Sequence, residues 1–410
     1  MTNTSPCTPN GPKTFRQILR EAREQRNVSL ANLARDTYVS RGWINNVEAG
    51  RRWPEREWVL SAQTTLNAPD LISAWECENH QRSEDLRIRN AVKESEREAR
   101  FLLAIEPDTT DIDYINESVA DLAVAYLASP AEPMFEQAIA LRSELVRRLK
   151  VGAVHPNERA DLYVGLGRVS GVLSYAALDL GQADTAMLHS EVSRKMGSLS
   201  GSRSLVAWAY GTESLIERFD QNYEHARDLL LSAQPYIGEG TSAVRILCGL
   251  AQCSANLGDS AAAMEYIGRA KIARDHADSD SVEGLFGFSP AKQEYYTASA
   301  LMWLSNTAAL KEAERSATNA IAIWEHEPVE QRSLDDEALA HVYLATSLIK
   351  LGEIDGAMEA VRPILNLPEE RQISWIRKRI AQLSDLITRD SRYRHSRAAS
   401  AAIEELRADR

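Results

Sequence analysis

Cysteine is scarce in this chain of 410 residues, and long apolar runs are absent from it. The four cysteines match no zinc or disulfide spacing; they are Cys7, Cys77, Cys248 and Cys253. No run approaches the roughly 18 apolar residues of a membrane-spanning helix, and the N-terminal residues lack the apolar core of a signal peptide. We therefore expect a cytoplasmic protein with no membrane segment and no metal site, whose cysteines are buried free thiols.

Signatures of enzymes are missing as well. The sequence contains no phosphate-binding GxxxxGKS/T motif, no HExxH zinc motif and no GxSxG nucleophile motif. The eight histidines are far apart in the sequence, which favours core or solvated histidines over a metal site or catalytic triad. The sequence therefore predicts a protein that is not an enzyme and that carries no cofactor.

One stretch, residues 28–54, organises the N-terminal part of the chain. Serines at N-cap positions followed by apolar residues at helical spacing predict two short helices, at residues 29–36 and 40–49. The break between them is only three residues long, and such a turn sets two helices at a steep angle. In that arrangement the second helix can enter the major groove of DNA.

The side chains of this stretch divide into a buried set and an exposed set. The apolar set that we expect to form a small core is Leu30, Leu33, Ala34, Val39, Ile44 and Val47. Arg41, Asn45 and Asn46, with Trp43 beside them, are then expected to point away from the core. Arginine pairs well with guanine edges and asparagine with adenine edges, so this face is suited to reading bases.

Further residues complete the predicted DNA-binding set. Arg51 and Arg52 follow the second helix and are placed to contact phosphates, which anchor a helix without reading sequence. Ser29 and Ser40 belong to the same set because they stand at the starts of the two helices.

Residues 14–71 resemble the Cro/Xre-type helix–turn–helix domain. In that family the recognition helix ends in a motif close to I-x-x-x-E-x-G-x-x-x-P, which is present here as Ile44, Glu48, Gly50 and Pro54. The resemblance implies that Arg23 in the first helix forms a structural ion pair with Glu48.

Two positions depart from the family's pattern. Leu30 stands where the family often has a glutamine that contacts a phosphate and a base, and Gly42 leaves a frequent base-reading position without a side chain. These departures imply that specificity depends on Arg41, Asn45 and Asn46.

The distribution of charge agrees with a DNA-binding segment. The whole chain has a net charge of −12, but residues 13–56 contain ten Lys or Arg against five Asp or Glu. This segment therefore has a net charge of +5, and the remainder of the chain has −17. A basic module on an acidic body is expected when one end of a protein contacts nucleic acid.

Composition predicts the domain organisation. Residues 1–12 are rich in Thr, Asn and Pro and are expected to be disordered, and 13–78 form the DNA-binding domain. Residues 79–107 have dense mixed charge at helical spacing and predict an exposed connecting helix, with a flexible linker as the alternative. A repeat domain is expected at 108–390, followed by a C-terminal tail or capping helix at 391–410.

The region from residue 108 is rich in Ala and Leu and contains a recurring pattern. The motif L-G-x-x-x-x-A-M begins at Leu180, Leu257 and Leu351, and alanine pairs seven residues apart recur at steps of 37 to 50 residues. Such steps predict one helical hairpin each, near 111–150, 157–198, 203–238, 242–276, 290–326 and 335–367. The hairpins resemble tetratricopeptide repeats, with armadillo-like or HEAT-like hairpins as the alternative, so the predicted fold class is all-α with an α-solenoid.

The two parts together resemble the peptide-pheromone regulators of Gram-positive bacteria, which act in quorum sensing, and similar regulators of actinomycetes. The resemblance implies a homodimeric transcription regulator that binds a double-stranded DNA operator and whose repeats bind a small molecule or short peptide. A scaffold that recruits a partner protein to DNA and a ligand-independent repressor of the phage or antitoxin type are the alternatives.

Candidate ligand-binding residues are those expected on the first helices of the hairpins. They are Tyr163, Trp208, Tyr210, Arg245, Tyr295, Tyr296 and Trp303. The interval 275–293 lengthens one repeat step, and we expect either an ordered loop between repeats or a lid over the groove.

Overall fold

The computed structural model describes residues 13–103, 113–151, 159–238, 240–278, 280, 283–368 and 371–408. These residues form α-helices and short 3₁₀ turns, and none of them is in a β-strand, which confirms the predicted all-α fold class. Contacts divide the chain into two compact units, residues 1–93 and 94–410. The predicted disorder of residues 1–12 and the residue Cys7 lie outside the described residues.

The first unit begins with four short helices. Its helices are α1 (Phe15–Gln25), α2 (Leu30–Asp36), α3 (Arg41–Glu48), α4 (Arg56–Thr65) and the start of α5 (Leu71–Leu103). Phe15, Leu19, Leu33, Ile44 and Val47 are fully buried in one core. This core forms because apolar residues recur at helical spacing on each short helix.

Helix α5 is longer than the connecting helix expected from the sequence. The sequence predicted a separate connecting helix at residues 79–107, but the described part of that stretch belongs to a single helix of 33 residues that begins at Leu71, because no glycine or proline interrupts it. The two units meet within this helix, after Lys93, whereas the sequence placed a domain boundary at residue 78. The last part of the helix is not wholly exposed, since Ser95 and Ala99 are fully buried within the second unit.

The second unit is a series of helical hairpins. Its helices are α6 (Asp113–Ala128), α7 (Ala131–Val151), α8 (Arg159–Asp179), α9 (Ala183–Ser200), α10 (Arg203–Phe219), α11 (Tyr223–Ala233), α12 (Ser242–Asn256), α13 (Ser260–Asp275), α14 (Pro290–Leu301), α15 (Thr307–His326), α16 (Leu334–Leu351), α17 (Ile354–Leu365), α18 (Ser374–Arg389) and α19 (Arg397–Ala408). Each predicted hairpin corresponds to two consecutive helices, and the C-terminal stretch predicted as a tail or capping helix forms α19.

In four hairpins, the first helix is followed by a residue whose backbone has the left-handed conformation. Gly181, Gly258 and Gly352 have φ of +77°, +85° and +101°, which only glycine adopts without strain. Gln221 takes the same role between α10 and α11 with φ of +62°. At each turn the next backbone N–H donates to a carbonyl five residues earlier, as Gln182 does to Ala177 at 2.8 Å. The repeat turn therefore survives where the glycine of the sequence motif is missing.

The alanines of the repeat pattern lie in the contacts between helices. All of them are at most 1% exposed: Ala186, Ala226, Ala233, Ala263, Ala270, Ala313, Ala320 and Ala357. A methyl side chain at these positions lets the second helix of a hairpin lie close to its neighbours, so the stack shares one continuous core.

The first hairpin departs from the regular stack. Helix α6 packs not only on α7 and α8 but also on α16 and on two 3₁₀ turns, Gly284–Phe286 and Val329–Gln331. The backbone approach is close, because a Cβ atom at Gly284 would lie 2.4 Å from the carbonyl oxygen of Ala123. Sequence reasoning did not predict this packing of α6 against distant repeats.

Residues from distant repeats also meet around Asp179. The hydroxyl of Tyr126 donates to one carboxylate oxygen, and the indole Nε1 of Trp375 donates to the other at 3.1 Å. Ser374 donates to the carbonyl of Leu178 at 3.1 Å. Helices α6, α8 and α18 are therefore joined through one buried carboxylate.

One expectation about the cysteines is wrong. Cys248 and Cys253 are buried thiols, as predicted, but Cys77 is exposed on α5. The polar surface of α5 at that point does not provide a core to bury it.

Candidate nucleic-acid interface and interior cavities

Helix α3 is fixed at its start and along its inner face. The Oγ of Ser40 accepts the backbone N–H of Trp43 at 3.1 Å, and the Oγ of Ser29 caps α2 in the same way. Ile44 and Val47 anchor α3 in the core. Because α3 has only eight residues, this cap and these two side chains determine which of its faces is exposed.

The exposed face of α3 carries the predicted base-reading side chains. Arg41 and Asn45 are exposed and Asn46 is half-buried. Gly42 is exposed between them and has no neighbouring atom within 4 Å of the position a Cβ would take. The face is therefore a short polar strip with a gap, which leaves room for a base edge or a backbone.

The sequence suggested that Trp43 points away from the core together with these residues. In the structure it does not. Its ring packs on Trp58 with centroids 4.6 Å apart, and it lies half-buried against the core. The guanidinium of Arg52 lies over the Trp43 ring at 5.5 Å from its centroid. A large indole finds more apolar contact on the core than on a polar helix face, so Trp43 supports Arg52 instead of standing free.

The segment after α3 is held close to α1. Gly50 has φ of +73°, and a Cβ there would lie 1.9 Å from Nη1 of Arg16, so a larger residue would displace that guanidinium. The backbone N–H groups of Arg51 and Arg52 both donate to the carbonyl of Asn46, at 2.8 and 3.1 Å. Both arginine side chains are exposed in this turn at the end of α3.

An ion pair connects α1 to α3. Arg23 donates to both carboxylate oxygens of Glu48, and its side chain also reaches the carbonyl of Val28. Hydrogen bonding to the Glu48 carboxylate raises the pKa of Arg23 although burial opposes it. The pair therefore fixes the end of α3 on α1.

Tyr38 is a candidate that sequence reasoning did not select. It lies in the turn between α2 and α3 with φ of +57°, and the residue is 95% exposed. Bulky residues rarely adopt this backbone conformation, and strained positions are common at functional sites. A tyrosine in a three-residue turn between two capped helices was the signal that would have identified it.

The predicted ligand-binding residues fall into different places in the second unit. Trp208 and Arg245 line a cavity of about 370 Å³. Tyr295 and Tyr296, together with Arg245, line a smaller one of about 60 Å³, and Trp303 lines a third of about 440 Å³. Tyr163 and Tyr210 line none of these three. The structure thus brings together only part of the predicted set.

The described part of the interval 275–293 is an ordered loop. Trp208 Nε1 donates to the carbonyl of Leu285 at 3.3 Å, and Phe288 N donates to Thr241 Oγ1 at 3.0 Å. Arg274 donates to the carbonyls of Phe288 and Ser289. The loop therefore turns inward and forms a wall of the 370 Å³ cavity.

Buried carboxylates give the smaller cavity an unusual charge state. Burial raises the pKa of Asp179 well above its usual range, and nearby Asp335 raises it further. Burial also raises the pKa of Asp335 to about 6, although Arg371 opposes this effect. Protonation of these carboxyls therefore occurs closer to neutral pH than for solvated aspartates.

The described residues contain neither a metal-binding cluster nor a membrane-spanning helix. No group of three or more His, Cys, Asp or Glu side chains in these residues is arranged to hold a metal ion. No described helix combines the length and apolarity needed to cross a bilayer.

The comparisons with known proteins agree with the N-terminal unit. A family model described as a helix–turn–helix domain matches residues 15–75. No curated protein matches the chain. Among solved structures, the crystal structure of yeast Tom70 is similar with a TM-score of 0.38 and 13% sequence identity, over 96% of this chain and 81% of that chain.

Proposed function

We propose that this protein is a sequence-specific DNA-binding transcription regulator. The observation that carries the proposal is the presentation of α3, which is capped by Ser40, anchored by Ile44 and Val47, and exposes Arg41 and Asn45. The match of residues 15–75 to a helix–turn–helix domain supports the same function. The net charge of +5 over residues 13–56 supplies the electrostatic attraction to phosphates.

In this proposal the residues have distinct roles. Arg41, Asn45 and Asn46 contact base edges in the major groove, whereas Arg51 and Arg52 contact phosphates on either side. The hydroxyls of Ser29 and Ser40 accept from the helix backbone and keep their protons available for phosphate oxygens.

The proposed regulator acts as a homodimer whose second unit senses a ligand. One α3 helix reads only a half-site, and two half-sites about one helical turn apart require two copies of the domain. A ligand that changes the separation or angle of the two domains would change operator affinity. The cavities of the second unit support ligand sensing, since two of them are within the size range of small-molecule sites.

The test is selection of DNA sequences by the purified full chain, followed by footprinting and light scattering. The proposal expects a two-fold symmetric site, protection of two half-sites and the mass of a dimer. Recovery of random sequences after selection would contradict sequence-specific binding. A single protected half-site bound by a monomer would contradict the dimer.

A further inference from the structure

The side chains that line the 370 Å³ cavity of the second unit carry more positive than negative charge. Three arginines face it, Arg168, Arg203 and Arg245, and Asp280 is the single carboxylate among its described lining residues. Both oxygens of Asp280 are occupied by Thr241, whose N–H and hydroxyl donate at 2.8 and 2.6 Å. The carboxylate thus holds the loop in place and forms no ion pair with any of the three arginines. Asp161, outside the cavity lining, is the acidic residue that acts on Arg168.

Arg245 is the most deeply placed of the three, with 7% of the residue exposed. Its guanidinium donates to the carbonyl of Trp208, the hydroxyl of Thr212 and the hydroxyl of Tyr175, all of which are neutral. Within the described residues no carboxylate lies within 4.0 Å of it. Burying an unpaired cation is costly, so a cavity beside it is a place where an anion would be stabilised.

The fold makes room for this guanidinium. A Cβ atom at Gly211 would lie 3.1 Å from the guanidinium carbon of Arg245, so the lack of a side chain there lets the group lie against α10. The ring of Trp208 lies under it, at 4.9 Å from the ring centroid. The chain therefore positions Arg245 from two sides.

Two helix N-termini add partial positive charge to the same cavity. The first residues of α10 and α12 both line it, and no side chain caps the start of α12. Ser242, at the first position of α12, has a buried Oγ with no hydrogen-bond partner among the described residues. A free hydroxyl and a guanidinium beside the first turn of a helix are donors of the kind that bind phosphate or carboxylate oxygens.

The remaining wall of the cavity is apolar and aromatic. Trp208 and Phe286 lie with ring centroids 4.7 Å apart, and Phe288 lines the same space. We propose that this cavity binds a small organic anion, with its carboxylate or phosphate beside Arg245 and Ser242 and a ring-bearing body against Trp208 and Phe286.

The size of the cavity favours a compact ligand over an extended peptide. Gly284 of the loop lies against the backbone of Ala123 in α6, and Phe286, two residues further along the loop, lines the cavity. The cavity volume of about 370 Å³ lies in the range of small-molecule sites.

The regulatory meaning of this site rests on the proposed function, but binding itself does not. The test is isothermal titration of the full chain with indole-3-acetate, its neutral analogue indole-3-acetamide, phenyl phosphate and inorganic phosphate, up to about 10 mM. We expect at least one ring-bearing anion to bind at one site, and the amide to bind at least tenfold more weakly. Which of the carboxylate and the phosphate binds more tightly distinguishes the two anion types.

Substitutions locate the binding in this cavity. Arg245→Met is expected to weaken anion binding at least tenfold, and Arg168→Met gives a second test if the first variant does not fold. Arg218→Met is the matched control, because Arg218 is equally buried and donates to Gln252, but does not line the cavity. Its affinity for the anion should stay within about twofold of the parent chain's.

The outcomes separate this proposal from the proposed function. Equal binding of acetate and amide, binding of inorganic phosphate as tight as that of phenyl phosphate, or no binding of either ring-bearing anion would overturn the site. Binding that Arg218→Met weakens as much as Arg245→Met would also overturn it. Anisotropy of an operator duplex is measured in the same samples: anion binding that leaves DNA affinity unchanged keeps the site and refutes its role as a sensor.

Discussion

The guanidinium of Arg23 and the carboxylate of Glu48 form a two-bond ion pair, with Nε 2.6 Å from Oε1 and Nη2 3.0 Å from Oε2. The two side chains are only 12% and 5% exposed. Since the residues are 25 positions apart, the pair ties α1 to the end of α3. It therefore stabilises the helix that we propose to read DNA without itself being placed to contact bases.

Replacement of Arg23 by Met should destabilise the first unit by about 2–4 kcal/mol, because Glu48 keeps its charge in a nearly buried site. Among the described residues, Arg20 at 3.8 Å is the cation that remains in ion-pair range of the carboxylate. Hydrogen exchange of peptides from α1 and α3 measures the change. Lys13→Met is the control, since Lys13 and Glu21 pair in an exposed position, and its effect should stay below about 1 kcal/mol. Equal protection in both variants would contradict a structural role for the pair.

Arg41→Ala and Arg51→Ala should weaken DNA binding in different ways. Loss of a base contact by Arg41 is expected to reduce discrimination between operator and scrambled DNA by roughly 1–3 kcal/mol. Loss of a phosphate contact by Arg51 should weaken both duplexes equally and reduce the salt slope by about one unit. Anisotropy titrations over a series of salt concentrations measure both quantities. Retained discrimination in Arg41→Ala would show that the base-reading face is wrong.

The hairpins could be predicted because the residues that define their turns and helix contacts are close together in the sequence. A left-handed turn needs a residue such as Gly181, and helix contacts need small residues such as Ala186, so both leave a signal at fixed spacing. The turn at Gln221 lacks the glycine, and the alanine spacing alone indicated its hairpin.

Long-range packing left no such signal. The close contact of Gly284 with Ala123 and the hydrogen bond from Tyr126 to Asp179 join segments that are far apart in sequence. No periodic pattern marks either contact. The position of Trp43 was misjudged for a related reason: its partner Trp58 lies on another helix, and helical spacing within α3 does not reveal it.

The buried and exposed cysteines should react very differently with a thiol reagent. Burial raises the pKa of Cys248 to about 12 and that of Cys253 to about 11, so neither forms a thiolate at pH 8. Cys77 is exposed and should be modified rapidly. Labelling at pH 8 followed by peptide mapping checks this order. Modification of Cys248 at the rate of Cys77 in the folded chain would contradict the packing of α12.

Two glycines in consecutive elements provide a matched pair for the repeat turn. A Cβ at Gly258 or Gly268 would meet no atom within 4 Å, so alanine fits sterically at both. Gly258 has φ of +85°, whereas Gly268 lies within the helix α13. Alanine should therefore destabilise at 258 by about 1 kcal/mol and stabilise at 268 by about 1 kcal/mol. Urea unfolding followed by circular dichroism measures both changes, and shifts of the same sign would refute the assigned turn.

Asp335 should make the second unit less stable as the pH rises through 6. Its pKa is raised to about 6 in the folded chain, mainly by burial, and is about 3.9 in an unfolded chain. Because the folded chain binds the proton more tightly, this residue's stabilising contribution is complete below about pH 4 and is lost as the pH rises through about 6.

Asp335→Asn removes the carboxylate but keeps its shape, so the variant should gain about 1–2 kcal/mol over the parent chain at pH 8. The gain is smaller than the pKa change alone implies, because the side chain is 22% exposed and Arg371 loses its partner at 3.6 Å. Thermal unfolding followed by circular dichroism from pH 4 to pH 8 measures the difference, which should disappear at the acidic end. Asp228→Asn, at an exposed position of α11, should change little at any pH. A gain for Asp335→Asn that is larger at pH 4 than at pH 8 would reverse the expected sign, and the buried carboxylate would then be charged throughout this range.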